Sequence, residues 1–207
     1  MHRTFLDGAG KAALSAAAQA IEGRSSAEVV VMVRPHSGSY RHADLLLGTL
    51  FAWATLWFQL FSPWDFSLES IFVAPVVAAV VTATISSRSP LARRLLTRAE
   101  ERRSAVLIAA RAAFVEKGVG LTIGRTGILV FLSLLERIAV VVADKGVRDR
   151  VATEAWGAAT ASIDETFRKG GDGKAVAERI LALGDLLAPV LPRAADDVDE
   201  LAEEVMS

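Results

Sequence analysis

The chain is organised around two apolar stretches, LLLGTLFAWATLWFQLF (Leu45–Phe61) and SLESIFVAPVVAAVVTATI (Ser67–Ile85), which the short turn SPWDF separates. No Lys, Arg or His occurs from Leu45 to Ile85. Both stretches are apolar around their whole circumference, and each is about 25 Å long as a helix, close to the thickness of a bilayer core. The pattern favours a transmembrane hairpin within residues 43–87, with spans at about 45–61 and 68–85. A re-entrant segment or a pair of buried core helices is the alternative.

The charges around this hairpin predict its orientation. From Leu45 to Ile85 the only charged residues are Asp65 and Glu69. Basic residues collect on both outer flanks, namely Arg34, His36, Arg41 and His42 before the hairpin and Arg88, Arg93, Arg94, Arg98, Arg102 and Arg103 after it. Because basic residues favour the cytoplasmic side, both termini are expected in the cytoplasm and the turn outside. The sequence therefore predicts a multi-pass protein of the bacterial inner membrane that interacts directly with the lipid bilayer.

Composition excludes several classes of protein. The 207 residues have room for one domain and a membrane anchor, and 52% of them are hydrophobic. The net charge of −1 argues against a nucleic-acid partner, which would require a basic face. The absence of Cys excludes disulfides, thiolate zinc sites and cysteine nucleophiles.

Residues 1–42 and 88–193 are expected to form one α/β domain that the hairpin interrupts. The β-branched run AEVVVMV indicates a central strand covered on both faces. The predicted elements are a helix at 7–23, a strand at 27–33, a helix at 90–117, strands at 128–134 and 137–143, and helices at 147–168 and 174–191, followed by an acidic tail at 194–207.

The two later strands lie too close in sequence for a helical crossover, so they are predicted to pair as an antiparallel hairpin. Leu135 and Glu136 between them are poor residues for a tight two-residue turn, which favours Gly or Asn. A longer or distorted turn is therefore expected. In the last helix, Val176, Ile180, Leu183, Leu187 and Val190 follow the spacing of one buried helical face.

Three short segments give the chain a family resemblance: RTG (125–127), LER (135–137) and ADKG (143–146). With the order of elements around them, they resemble the TPM domain family, in the bacterial membrane-protein branch where a transmembrane hairpin is inserted in the domain. DVDEL (197–201) resembles the closing segment of that branch. The resemblance extends over nearly the whole chain and implies an α-β-α sandwich of helix, strand, helix, β-hairpin and two helices.

The resemblance implies a role in serving membrane complexes rather than one reaction. Members of the family include a thylakoid-lumen protein linked to acid-phosphatase activity and photosystem repair, and an accessory protein of an acetylcholine receptor. The expected function is an accessory, assembly or maintenance factor that binds other membrane proteins and is not an enzyme. A divalent-metal-dependent phosphatase and a cation or anion sensor at the membrane are the alternatives.

Carboxylates at predicted strand ends are the candidate ligands for Ca²⁺ or Mg²⁺, which prefer oxygen. Glu136 and Asp144 stand at opposite ends of one predicted strand, roughly 26 Å apart, so they are not expected to share an ion. Asp144 with Asp149 and Glu154, which are close in sequence, form the predicted metal cluster. Salt bridges and helix caps are the alternative roles of these side chains, as of Glu28.

The glycine-rich loop GVGLTIGRTG (118–127) carries a second candidate site. Arg125 and Thr126 could hold an anion through the guanidinium and backbone N–H groups. The favoured interpretation is structural: a turn that needs Gly127 for its backbone and pairs Arg125 with a nearby acid. The segment GGDGK (170–174) lacks the residues of a phosphate-binding P-loop, and no catalytic motif stands out elsewhere.

Overall fold

The structure is a computed structural model that describes Phe5 and residues 7–193. The predicted acidic tail, with its DVDEL segment, lies outside the described residues. The chain divides into two compact units. Of the described residues, those up to Ser37 and those from Arg103 onward form unit one, and Gly38–Arg102 form unit two.

Unit one contains a three-stranded mixed sheet of order β1-β2-β3. The strands are β1 (Glu28–Arg34), β2 (Gly127–Ser133) and β3 (Ile138–Ala143). β1 runs parallel to β2, and Val31 pairs with Val130. β2 and β3 form the expected antiparallel hairpin, in which Val130 also pairs with Val141. A mixed α/β architecture is therefore confirmed.

The link between β2 and β3 is longer than a two-residue turn, as expected. Residues 134–137 form it, and Arg137 has a φ of 53°. This left-handed conformation is uncommon for a residue with a side chain. The absence of Gly or Asn at the turn is thus accommodated by extra length and one unfavourable backbone conformation.

Helices cover both faces of the sheet. The larger core forms where α1 (Gly8–Glu22), α7 (Thr153–Arg168) and α8 (Gly173–Leu187) pack on one face. The smaller core forms where α5 (Ala99–Glu116) packs on the other. Alternate residues of each strand point to opposite faces, so β2 contributes to both cores and all of its seven residues are buried.

Two helices predicted as continuous are each broken in two. The helix expected at 90–117 is α4 (Pro90–Leu96) followed by α5, and the break lies at Thr97, which is buried. The helix expected at 147–168 is α6 (Lys145–Arg148) followed by α7, and Val151 is buried between them. Periodicity alone does not reveal such breaks, because the residues at them are compatible with helix.

The last helix ends earlier than predicted. α8 stops at Leu187, and Val190, which was placed on its buried face, is 38% exposed. The following residues turn to the start of β1 instead. The Leu191 carbonyl accepts a hydrogen bond from Ser26 N, and Pro192 forms an isolated bridge with Ser25. This pairing outside the sheet ends the helix, and the spacing of apolar residues did not indicate it.

Unit two contains α2 (Arg41–Phe61) and α3 (Leu68–Arg88), each of 21 residues. Their apolar windows have mean hydropathies of 1.3 and 2.0, and 17% and 0% of their residues are buried. By length and composition both helices could cross a membrane. They approach closely at Gly48, where a Cβ would lie 2.8 Å from the Ala79 carbonyl oxygen.

Gly127, at the start of β2, is required by a close backbone approach. A Cβ on Gly127 would lie 1.8 Å from the Val119 carbonyl oxygen, well inside van der Waals contact. Its φ is not in the left-handed region, so space and not conformation excludes a side chain. The 3₁₀ turn Val119–Leu121 can therefore pack directly against the start of the strand.

Replacing Gly127 with Ala should destabilise unit one, because the added methyl group forces the backbone of β2 or of Val119 to move. Overpacking of this kind costs about 1–3 kcal/mol. Thermal unfolding and hydrogen exchange of the β2 amides in the detergent-solubilised full chain measure the loss. Gly8→Ala is the matched control, since a Cβ there meets no atom within 4 Å. Equal stability of the two variants would contradict the close approach.

Candidate functional site

In the predicted anion-binding loop, the side chain of Arg125 lies beside the carboxylate of Asp144 in the same unit. Nε of Arg125 lies 3.0 Å from Oδ2 of Asp144, and this contact is an ion pair without the alignment of a hydrogen bond. The Arg125 side chain is 62% exposed and that of Asp144 is 8% exposed. Arg125 thus lies beside an acid and Gly127 lies at a close backbone approach, which is the arrangement that the structural interpretation predicts. Anion binding stays a prediction, and the guanidinium already has one carboxylate beside it.

The backbone of this loop is held in a strained conformation. Arg125 has a φ of 54°, in the left-handed region, and its N–H donates to the Thr122 carbonyl. The Thr126 N–H donates to Oγ1 of Thr122 at 3.0 Å. Gly146 packs against the loop so closely that a Cβ would lie 2.5 Å from the Gly124 carbonyl oxygen. The RTG and ADKG segments therefore form one packed structure.

Asp144 is the N-cap of α6 as well as the partner of Arg125. Its Oδ1 accepts the Lys145 N–H at 2.7 Å, which satisfies one unpaired donor at the start of the helix. Its own N–H donates to the Gly127 carbonyl. Oδ1 of this buried residue thus lies beside a backbone N–H, and Oδ2 lies beside a guanidinium. The cap is one of the alternative roles expected from the sequence.

Among the described residues, Asp144 is not part of a cluster of metal ligands. Within Phe5 and residues 7–193, no group of three or more His, Asp or Glu side chains is placed to hold a metal ion. Asp149 and Glu154 are exposed, and Glu154 lies in the first turn of α7. The Ca²⁺ or Mg²⁺ site, together with the phosphatase or sensor that would use it, stays a prediction.

Glu136 is a buried carboxylate that joins the ends of two strands. One oxygen, Oε1, accepts the Ser37 N–H at 3.0 Å, and the other, Oε2, accepts the hydroxyl of Ser133. The hydroxyls of Ser37 and Ser133 lie 2.7 Å apart. Sequence reasoning found this carboxylate at a strand end but not its two serine partners. Its contacts fix the segment that follows β1 to the end of β2.

An open groove lies along the edge of β3 that has no neighbour among the described strands. The sequence did not predict this groove. It encloses a cavity of about 300 Å³. Leu107 of α5 lines one wall, residues 139–141 of β3 line the floor, and Gly157, Thr160 and Ala161 of α7 line the other wall. We call it the edge groove. These side chains are small or apolar, apart from one hydroxyl and the ion pair described next.

An ion pair closes one end of the edge groove. Oδ1 of Asp164 accepts the Ala139 N–H at 2.9 Å, and Oδ2 lies 3.2 Å from Nη1 of Arg103. Asp164 is buried, whereas the Arg103 side chain is 65% exposed. One feature of the sequence could have indicated this role of Asp164. It follows Ile163 on the buried side of α7, where a carboxylate requires a partner.

The arginines of unit two from which the membrane orientation was predicted differ in their contacts and burial. Arg93 binds Asp44 through Nη2 and Oδ2 at 2.7 Å, and Ser86 donates its hydroxyl to Oδ1 of Asp44 at 2.7 Å. This cluster joins the start of α2, the end of α3 and α4. Arg88 and Arg98 are exposed, and Arg94 is partly buried. The partner of Arg93 was not predicted, since Asp44 and Arg93 are far apart in sequence.

No protein-family model matches the chain, and no curated protein is significantly similar to it. A solved structure with a similar fold is the NMR structure of the BA42 protein from the psychrophilic bacterium Bizionia argentinensis, with a TM-score of 0.59 and 17% sequence identity. The match covers 98% of this chain and 94% of BA42. At this identity the similarity concerns the fold alone, and membership of the TPM family stays a prediction.

Two substitutions at Asp144 separate its cap from its charge. Asp144→Asn keeps an oxygen for the Lys145 N–H but removes the ion pair, and since Arg125 is largely exposed the cost should stay below about 1 kcal/mol. Asp144→Ala also removes the cap and should cost about 1–2 kcal/mol. Thermal unfolding of the full chain ranks the two variants. An Asn variant as unstable as the Ala variant would show that the charge of Asp144 contributes more to stability than its cap does.

Proposed function

We propose that the chain is an integral protein of the bacterial inner membrane whose cytoplasmic α/β unit binds other membrane proteins during their assembly or maintenance. One observation carries the proposal: α2 and α3 are 21 residues long, and only 17% and 0% of the residues in their apolar windows are buried. A helix in the core of a soluble protein would bury its apolar surface instead. A bilayer is the environment that covers such helices.

The exposed surface of unit two supports a bilayer rather than water around these helices. Large side chains such as Trp53, Phe61 and Phe72 are each at least two-thirds exposed. A soluble monomer rarely exposes a contiguous apolar patch larger than a few hundred Å². Trp57, Phe58 and Trp64 lie toward the turn, where aromatic residues favour the membrane interface.

Polar contacts within the hairpin are consistent with a low-dielectric surrounding. The Gln59 amide donates to the carbonyl and to the hydroxyl of Ser70, each at 3.1 Å. The hydroxyls of Thr55 and Thr84 donate to the carbonyls four residues earlier in their own helices. A hydrocarbon environment requires such donors to find acceptors inside the pair of helices.

The binding role is supported by how unit one uses its buried carboxylates. Glu136, Asp144 and Asp164 each accept a backbone N–H of the same unit, at Ser37, Lys145 and Ala139 respectively. Their contacts stabilise the fold around an open groove. A surface that presents backbone and small side chains is suited to recognising another polypeptide.

The topology can be read with single cysteines, because the natural chain contains none. In intact cells, a cysteine replacing Asp65 in the turn should react with a membrane-impermeant maleimide. A cysteine replacing the exposed Glu165 of α7 should react only after the membrane is permeabilised. Labelling of the Glu165 position in intact cells would overturn the orientation. Release of the wild-type chain by alkaline carbonate would overturn membrane integration.

The binding role is tested separately on the wild-type chain in native membranes. After chemical crosslinking, a reproducible set of integral membrane proteins should be recovered with the full chain in mild detergent. The Gly127→Ala variant, in which unit one is destabilised, should recover less of the same set while remaining in the membrane. Recovery of no membrane protein, or equal recovery by both chains, would contradict a role for unit one.

A further inference from the structure

Within the part of the chain that the structure describes, one edge of β3 has no partner strand, and backbone groups of β3 are directed toward that edge. The Ala139 N–H points away from β2, since it donates to Asp164. The N–H and C=O of a residue in an antiparallel strand point to the same side, and alternate residues point alike. Val141 therefore also directs its N–H and C=O away from β2 and toward the edge groove, which it lines. Among the described residues, no hydrogen bond is made to either group.

One wall of the edge groove contains a glycine that the fold itself does not require. Gly157 lies inside α7, is exposed, and would place a Cβ within 4 Å of no other atom. Glycine in a helix interior costs about 1 kcal/mol relative to Ala. The absence of a side chain at Gly157 keeps space open opposite the backbone of Val141. An approaching backbone is what such space accommodates.

We propose that an extended segment of a partner polypeptide adds to β3 as a fourth strand, exchanging backbone hydrogen bonds with Val141 between α5 and α7. This inference rests on the proposed function and specifies how the partner is recognised. Asp164 already occupies the Ala139 N–H, so it limits the guest strand at that end. Leu107, Val140 and Ala161 favour small or β-branched apolar side chains in the guest.

The position of the edge favours a separate segment over a second copy of β3. The floor of the edge groove is flanked by α5 on one side and by α7 on the other. If two copies paired through β3, the α5 and α7 helices of both copies, four in all, would have to fit along the same line of contact. A single extended segment has no such helices and can reach the floor.

The test uses the full chain in nanodiscs and a display library of short linear peptides as the probe. Enriched peptides are synthesised, and their affinities are measured for the wild type and for two pairs of variants. Gly157→Leu fills the edge groove, and its control is Gly8→Leu, at another exposed helical glycine with open space around it. Val141→Pro removes the outward N–H, which an edge strand tolerates, and its control Val141→Ala retains it.

We expect Gly157→Leu and Val141→Pro to weaken peptide binding by about tenfold or more, and both controls to bind within about twofold of the wild type. Peptide binding should also slow hydrogen exchange of the Val141 amide. The inference is overturned by a library that yields no binder, by equal affinity of all four variants, or by a wild-type dimer that Gly157→Leu dissociates. Binding that appears only after deletion of residues 194–207 would assign the groove to the chain's own tail and overturn it too.

Failure of this inference differs from failure of the proposed function. The cysteine labelling reports membrane topology in the same variants and does not depend on the edge groove. Correct topology and intact membrane-protein crosslinks, with no effect of Gly157→Leu on peptides, would reject only the added strand.

Discussion

The parallel pairing of β1 with β2 is the constraint on which unit one depends. β1 precedes unit two in the chain and β2 follows it, so this pairing joins two segments that are distant in sequence. It succeeds because β2 is apolar on both faces and fully buried, with a strand on each side. Gly127 and Ser133 mark its ends, where a close backbone approach and the Glu136 cluster respectively fix the register.

The two faces of the sheet are covered unequally, and the functional surface follows from that difference. Among the described residues, three helices bury one face, while α5 and the 3₁₀ turn at Val119 cover the other. Of the described strands, only β2 neighbours β3, so a groove remains at the other edge of β3 between α5 and α7. Asp164 caps part of that edge, as natural proteins do to limit unwanted pairing, and leaves Val141 available.

The candidate site residues show how much a single sequence can indicate. The structure places Arg125 beside an acid and Gly127 at a close backbone approach, and local loop chemistry is enough to suggest both. That the acid is Asp144 and that Asp164 caps the sheet edge was not predictable, since these contacts join elements distant along the chain. The helix breaks near Thr97 and Val151 were not predicted for the same reason. Both residues are buried, and contacts with distant parts of the chain determine where the helices break.

The sequence alone determined the mixed α/β character, the antiparallel hairpin with its irregular turn, and two apolar helices long enough for a bilayer. These depend on local periodicity, turn chemistry and hydropathy, which neighbouring residues encode. Only the tertiary structure decided which carboxylate pairs with Arg93, Arg103 and Arg125. It also decided where the last helix ends and that one edge of β3 has no neighbour among the described strands. Those features depend on packing between distant segments, and hydrophobic periodicity records that a residue is buried but not what it is buried against.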